Sequence, residues 1–417
     1  MADVPVIQVL EKDRYFTQHL VTLPNAIPYP ALGTSSVRVR TKVMSLTANN
    51  ITYAKLGFML RWWDVHPLPP SAPAPFNDAT KYGCINCWGF AEVLESTHPS
   101  VEKGSYLWGY QPIGTLAQDL VVKEGKVPGQ VIVMNEHRQG IMPIYNRYLV
   151  FPTSMSSKIE SKADQVAYDA ILRVMFETAY LMNRFVFTSD PEDTVNPRMD
   201  NGTWTSEMAD SSDATFICLA PGSKVALCFA RELKHGRGKS VGRVIGAASE
   251  HSLEFVVGTG EYDEVISTKE TPKDVLPAVD SGKRVILVDF GGRAGVAEKW
   301  AAVISKSHKN FLLVQVGSEV SEVSSSELLA GMQKMQSVKP TYEAVQVNAS
   351  DMRARAMAKV GEKQYFEGLE DAWKAFNKAG IKGFRVTWGD GMQDVAKGWD
   401  LLCSGGSKPS DGLSYVI

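Results

Sequence analysis

Cysteine is scarce in this chain. Five occur in 417 residues, at 84, 87, 218, 228 and 403. An odd, scattered set argues against a disulfide framework and for a reducing compartment. Cys84 and Cys87 alone have metal-ligand spacing, and no second pair exists to close a tetrahedral site, so no metal centre is expected even with His66 in a nearby loop. A basic excess is also lacking: 44 Lys and Arg face 46 Asp and Glu, for a net charge of -2. Nothing there neutralises a phosphate backbone, so no nucleic-acid partner is expected. No uncharged apolar run approaches the roughly 18 residues of a membrane span. The opening "MADVPVIQVLEKDRYF" carries charge early and has no apolar core of a secretory signal, and "LSYVI" is neither a prenylation nor a peroxisomal signal. A cytoplasmic protein with no membrane partner is the expectation.

What is present points to two domains. Residues 1 to about 150 read as short strands and turns. "SSVRVRTKVMSLT" alternates Val37, Val39 and Val43 with basic residues, "WGFAEVLES" returns as strand, and "HPLPPSAPAPF" is too proline-dense for anything but a surface loop. This is a small, curled, barrel-like β domain. "SKADQVAYDAILRVMFETAYLMNRFVF" then recurs near the helical period, and a polar insertion follows over 189–213. From Ala214 strands and helices alternate. Continuous Val/Ile/Leu runs such as "TFICLA", "KRVILVDFG" and "NFLLVQVG" indicate a doubly wound parallel sheet. Beyond about 340 the alternation breaks into helix, strand, helix and a short tail. The expected division is 1–163 with 341–417 in one domain and 164–340 in the other.

The turn "LAPGSKVA" has the place of a dinucleotide-binding fingerprint without its glycines. Ala220, Gly222 and Ala226 stand for them. Gly222 keeps the turn, Ala226 allows close packing of helix on strand, and the Ala220 methyl crowds the strand end. The helix N-terminus, the Ser223 hydroxyl and Lys224 still offer a seat for a diphosphate. About 20 residues on, where an acid would hold a ribose 2′-hydroxyl, stand Ala247, Ala248 and Ser249, with Glu250 and His251 beyond. With the basic loop "KHGRGK" nearby, this favours NADPH over NADH.

The order of features resembles the medium-chain dehydrogenase/reductase superfamily. "GTGEYDEVIS", "ILVDFGG", "LLVQVG" and "FETAYLM" are similar to its conserved segments. More specifically, "LTANNITYAKLG", "WGFAEVLES", "MPIYNRY" and "GSKVA" resemble the DUF2855 family, in which Ser223, Lys224, Val225 and Ala226 read as the family's own fingerprint variant. The resemblance implies a GroES-like β domain plus a Rossmann domain, a nucleotide site that takes in Gly317, and a homodimer. It also implies the zinc-free chemistry of quinone and enoyl reductases. In such relatives the "ANNITYA" loop faces the cleft. Asn49 and Asn50 would then contact substrate or nicotinamide, and Tyr53 would donate a proton. Alternatively the asparagines are turn formers and Tyr53 a core aromatic. "EHRQGIMPIYNRY" supplies a second polar cluster: Tyr145 as an acid, Arg138, Asn146 and Tyr148 as substrate contacts, or all of them as an interdomain brace. The function expected is zinc-independent, NADPH-dependent reduction of an α,β-unsaturated or simple carbonyl in an apolar small molecule, with secondary metabolism as the expected setting. The alternatives are a redox-neutral isomerase or lyase on the same fold, and a non-catalytic auxiliary subunit of a synthase.

Overall fold

The computed structural model describes residues 4–24, 29–199, 202–236, 241–270, 272, 282–293, 295–317, 327 and 341–417. The first sheet curls on itself. Ser36–Leu46 pairs with Asn86–Ser96, which leads through Tyr106–Pro112, Arg147–Phe151 and Gln130–Val133 to Gln118–Glu124; that strand returns to pair with Ser36–Leu46. The ring is therefore closed, which leaves no free edge around it. Val37, Val39, Ala91, Val93, Leu107, Leu120, Val122 and Val131 fill one apolar cluster of this sheet. A small antiparallel sheet, Gln18–Thr22, Val6–Glu11 and Tyr82–Gly83, packs alongside.

The second sheet is parallel throughout. Its six strands are Thr215–Leu219, Arg243–Ala248, Glu264–Ser267, Val285–Asp289, Phe311–Gln315 and Glu343–Gln346. Numbered in chain order, they lie 3-2-1-4-5-6, the doubly wound order with its switch point between strands 1 and 4. The first, second and fourth are buried almost end to end because helices cover both faces.

Several elements differ from the sequence expectation. Glu343–Gln346 extends the parallel sheet past 340. The helices Ala349–Val360 and Glu362–Ala379 put Met352, Tyr365, Trp373 and Phe376 into the same core as Phe216 and Phe229. The tail is a strand: Asp411–Val416 inserts between Arg385–Asp390 and Ser36–Leu46. The expected interdomain helix is broken at Leu172 into Asp164–Ile171 and Arg173–Leu181, then closes in a π turn at Met182–Val186.

Candidate nucleotide and substrate site

Crevices at the carboxyl ends of such strands, at the switch point, are where this architecture binds ligands. Here that place is the turn after Thr215–Leu219. Ala220 holds the left-handed backbone, with φ 51°, that glycine usually supplies. The Ser223 amide donates to the Ala220 carbonyl at 3.0 Å, and the buried Tyr262 hydroxyl donates to the Pro221 carbonyl at 2.8 Å. Ser223 is the N-cap of Lys224–His235; its Oγ accepts from the Ala226 amide at 3.4 Å, leaving the hydroxyl proton to point elsewhere. Val225 packs on the core, and Ala226 is buried.

The expected seat is covered. A Cβ added at Gly222 would lie 3.1 Å from Pro409 Cβ and 3.3 Å from Val256 Cγ2. Lys224 Nζ donates to the Pro409 carbonyl at 3.3 Å and sits 5.6 Å from the Phe384 ring centroid. Burial lowers the Lys224 pKa to about 8, against the pull of Asp411. The Ala220 methyl is thus accommodated by an unusual backbone, while the neighbouring Pro409 ring occupies the approach to Gly222.

The second strand ends at Ala248 without an acid. Ser249 caps the next helix, its Oγ 3.1 Å from Ser252 Oγ, and His251 is exposed. Glu250 is paired with Lys269 at 2.5 Å on the exposed surface. The "KHGRGK" loop lies outside the described residues after Gly236. Across the switch point, Asp289 Oδ1 accepts from the amides of Gly291 (3.0 Å) and Gly292 (2.6 Å), a structural turn. Gly317 is exposed at the end of the fifth strand; a Cβ there would lie 2.6 Å from the Phe290 carbonyl oxygen, so the two loops can approach only with glycine.

In the barrel, "ANNITYA" is not a loop. Ala48–Leu60 is a helix capped by Thr47. Asn50 is 2% exposed and is spent on this cap: its Oδ1 accepts from the Thr47 amide at 2.7 Å, and its Nδ2 donates to the Asn86 carbonyl at 2.8 Å. The expected catalytic part for Asn50 is corrected on that ground. Asn49 is half-buried and faces the Tyr53 oxygen. Tyr53 is buried and accepts from Trp88 Nε1 at 2.9 Å; burial pushes its phenol well up. Its ring packs edge to face on Trp62, Tyr110 and Tyr145, with centroids 4.8, 5.1 and 6.1 Å away. Tyr145 is 8% exposed in the same aromatic box, its phenol likewise raised by burial.

Arg138, Asn146 and Tyr148 do not face a cleft. Arg138 is fully buried and donates to Asn146 Oδ1 (3.1 Å), the Tyr148 hydroxyl (3.1 Å) and the Tyr145 carbonyl (2.7 Å). Asn146 Nδ2 returns a bond to the Arg138 carbonyl at 3.0 Å, and the Tyr148 hydroxyl donates to the Tyr110 carbonyl. With these donors occupied and water excluded, Arg138, Asn146 and Tyr148 are not presented to a substrate as expected; they brace one another within the barrel. Of the sequence-derived residues, the fold brings Tyr53, Asn49 and Tyr145 together in the barrel, and Ala220, Gly222, Ser223 and Lys224 together at the switch point. Pro409 and the Trp88 and Tyr110 rings were not singled out, whereas Trp62 lies in "GFMLRWW", a stretch expected to line an apolar pocket or a dimer contact; only "GGSKPS", a glycine-rich loop with one proline, hinted at the first.

Cys84 and Cys87 are buried, and burial pushes the Cys84 thiol to about 12. His66 and Cys84 both line a cavity of about 220 Å³. Among the described residues no group of three or more His, Cys, Asp or Glu side chains could hold a metal ion. No described helix is long and apolar enough to cross a membrane.

A closed β barrel carrying a six-stranded parallel sheet of 3-2-1-4-5-6 order is the two-domain fold of a GroES-like unit joined to a Rossmann unit. Within it, the chain belongs to DUF2855, a family of proteins of unknown function, whose pattern matches residues 44–408. No curated protein matches the chain. Similar solved folds include quinone oxidoreductase of Escherichia coli complexed with NADPH (TM-score 0.55, 13% identity, covering 99% of this chain and 100% of that one). They also include the Etr1p/NADP/crotonyl-CoA complex (0.56, 13%, 100% of both chains). A third is the CurF ER cyclopropanase from the curacin A biosynthetic pathway (0.58, 11%, 99% of both).

Proposed function

We propose that the chain is a zinc-independent, NADPH-dependent reductase of an α,β-unsaturated or simple carbonyl in an apolar small molecule. The observation that carries this reading is the serine-capped helix Lys224–His235 at the switch point of a 3-2-1-4-5-6 sheet. Two of the similar folds are described with NADP or NADPH, and one of these with crotonyl-CoA, an enoyl thioester. The acid-free end of the second strand, with Glu250 already paired to Lys269, leaves Ser249 and His251 to receive a 2′-phosphate. Ser223 and the free amides of the first helical turn would hold the diphosphate.

NADPH supplies a hydride when bound. The protein's part is to orient the carbonyl, exclude water and protonate the developing enolate. Asn49 and Tyr53 stand at the start of Ala48–Leu60 with Tyr145 beside them. A neutral Tyr53 hydroxyl, kept protonated by burial, donates to the substrate oxygen while Trp88 holds it in place. Tyr53→Phe at saturating NADPH should lower kcat about 100-fold with little change in nucleotide affinity. Unchanged kcat removes Tyr53 from the reaction, and absence of any tryptophan-fluorescence response to NADPH or NADH removes the reductase reading.

A second reading has one observation in its favour. Pro409 packed on Gly222 suits a protein that keeps the fold without cofactor turnover, either a redox-neutral isomerase or lyase or an auxiliary subunit. Product of unchanged oxidation state, formed without added nicotinamide, would establish the isomerase or lyase form.

A further inference from the structure

In a dinucleotide turn the second glycine exists so that the pyrophosphate can come where a side chain would otherwise stand. At Gly222 that direction holds the Pro409 ring, 3.1 Å from the position of the missing Cβ. Lys224, the cation nearest this seat, gives its ammonium to the Pro409 carbonyl and lies over Phe384. A chain segment therefore makes, with a ring and a carbonyl, the two contacts a diphosphate would make with its bulk and its charge.

The segment is built to move. It leaves the helix Gly391–Cys403 through Gly405, at φ 71°, and Gly406. Residues 404–406 and 408 are exposed. It is fixed again at Lys408, whose carbonyl accepts from the Asp411 amide at 3.0 Å, and at Ser410, whose carbonyl accepts from the Arg385 amide at 2.8 Å, just before the strand Asp411–Val416 begins. Between hinge and anchor, Ser407 to Pro409 form no helix or strand. A neutral carbonyl is a weaker partner for an ammonium than an ionised diphosphate, so a nucleotide can displace the contact.

We propose that residues 404–410 are a strap that closes the nucleotide seat in the free protein and swings off Gly222 when a dinucleotide binds, with Lys224 passing from the Pro409 carbonyl to the diphosphate. This rests on the NADPH reading and adds to it a closed state that lowers apparent affinity by the fraction of molecules open.

The test compares the full-length protein with Pro409→Gly. NADPH affinity is measured by tryptophan fluorescence, and amide hydrogen exchange of 404–410 is followed with and without NADPH. The variant should bind NADPH about tenfold tighter, and in the wild-type protein exchange at the Asp411 amide, which donates to the Lys408 carbonyl at 3.0 Å in the closed strap, should rise on binding. Equal affinities, with strap exchange unchanged by NADPH, overturn the strap and leave the reductase reading standing. No binding of NADPH or NADH by either protein overturns both. Should Pro409→Gly fold poorly, the exchange measurement on the wild-type protein decides alone.

Discussion

At the residue scale, Ala220 shows how a position can keep glycine's backbone without glycine. A left-handed alanine costs roughly 1–2 kcal/mol, part of which glycine would lose again through its freer unfolded chain. Ala220→Gly should leave the unfolding free energy in urea unchanged or raise it by up to about 1 kcal/mol, whereas the β-branched Ala220→Val should lower it by more than about 1 kcal/mol. Lys224 makes a different prediction. Its folded pKa, about 8, lies below the ordinary lysine value of 10.5. Between those values the unfolded chain binds more protons, so this residue's contribution to stability rises with pH across that window. Lys224→Met should lack that rise, so the wild-type unfolding free energy should gain on the variant's as pH is raised from 7 to 10.5.

At the scale of elements, the brace around Arg138 separates a structural part from a substrate-binding one. Arg138→Met would strand Asn146 Oδ1 and the Tyr145 carbonyl inside the barrel. We expect a loss of about 2–4 kcal/mol in urea unfolding; a folded variant of normal stability with only a raised KM would return Arg138 to the substrate. The sequence made the parallel sheet legible because "TFICL", "RVIGAA" and "VILVD" are unbroken apolar runs, the mark of strands covered on both faces. It concealed "EAVQ", where Val345 alone is buried and no run exists. The helix Ala48–Leu60 was hidden for another reason: paired asparagines favour turns, and nothing local reveals that Asn50 closes a cap with Thr47. The placement of Tyr53 in an aromatic box depends on Trp62, Trp88 and Tyr110, which arrive from three other elements.

At the scale of the whole molecule, the two sheets are joined by buried charge as well as by chain. Glu177, on the helix before the parallel sheet, takes both Arg353 and Tyr365 from the helices after it, with Arg353 Nε at 2.5 Å and the Tyr365 hydroxyl at 2.6 Å. Asp169 accepts from Trp373 Nε1 at 2.8 Å while its carbonyl accepts from Trp108 of the barrel at 2.9 Å. Glu177→Ala leaves a guanidinium stranded away from water, and calorimetry should register a loss of about 3–5 kcal/mol. None of these partners is adjacent in sequence, and so none was legible before the fold was known.

The strand Asp411–Val416 lies beside Ser36–Leu46, so Leu413 and Leu46 become neighbours although nearly the entire parallel sheet is made between them. On a ribosome, the Val43–Leu46 end of the barrel's first long strand therefore waits, with that part of its flank unpaired, until almost everything else has emerged. The parallel-sheet unit can collapse while its companion is still unfinished, and the interval is when a chaperone has most to protect.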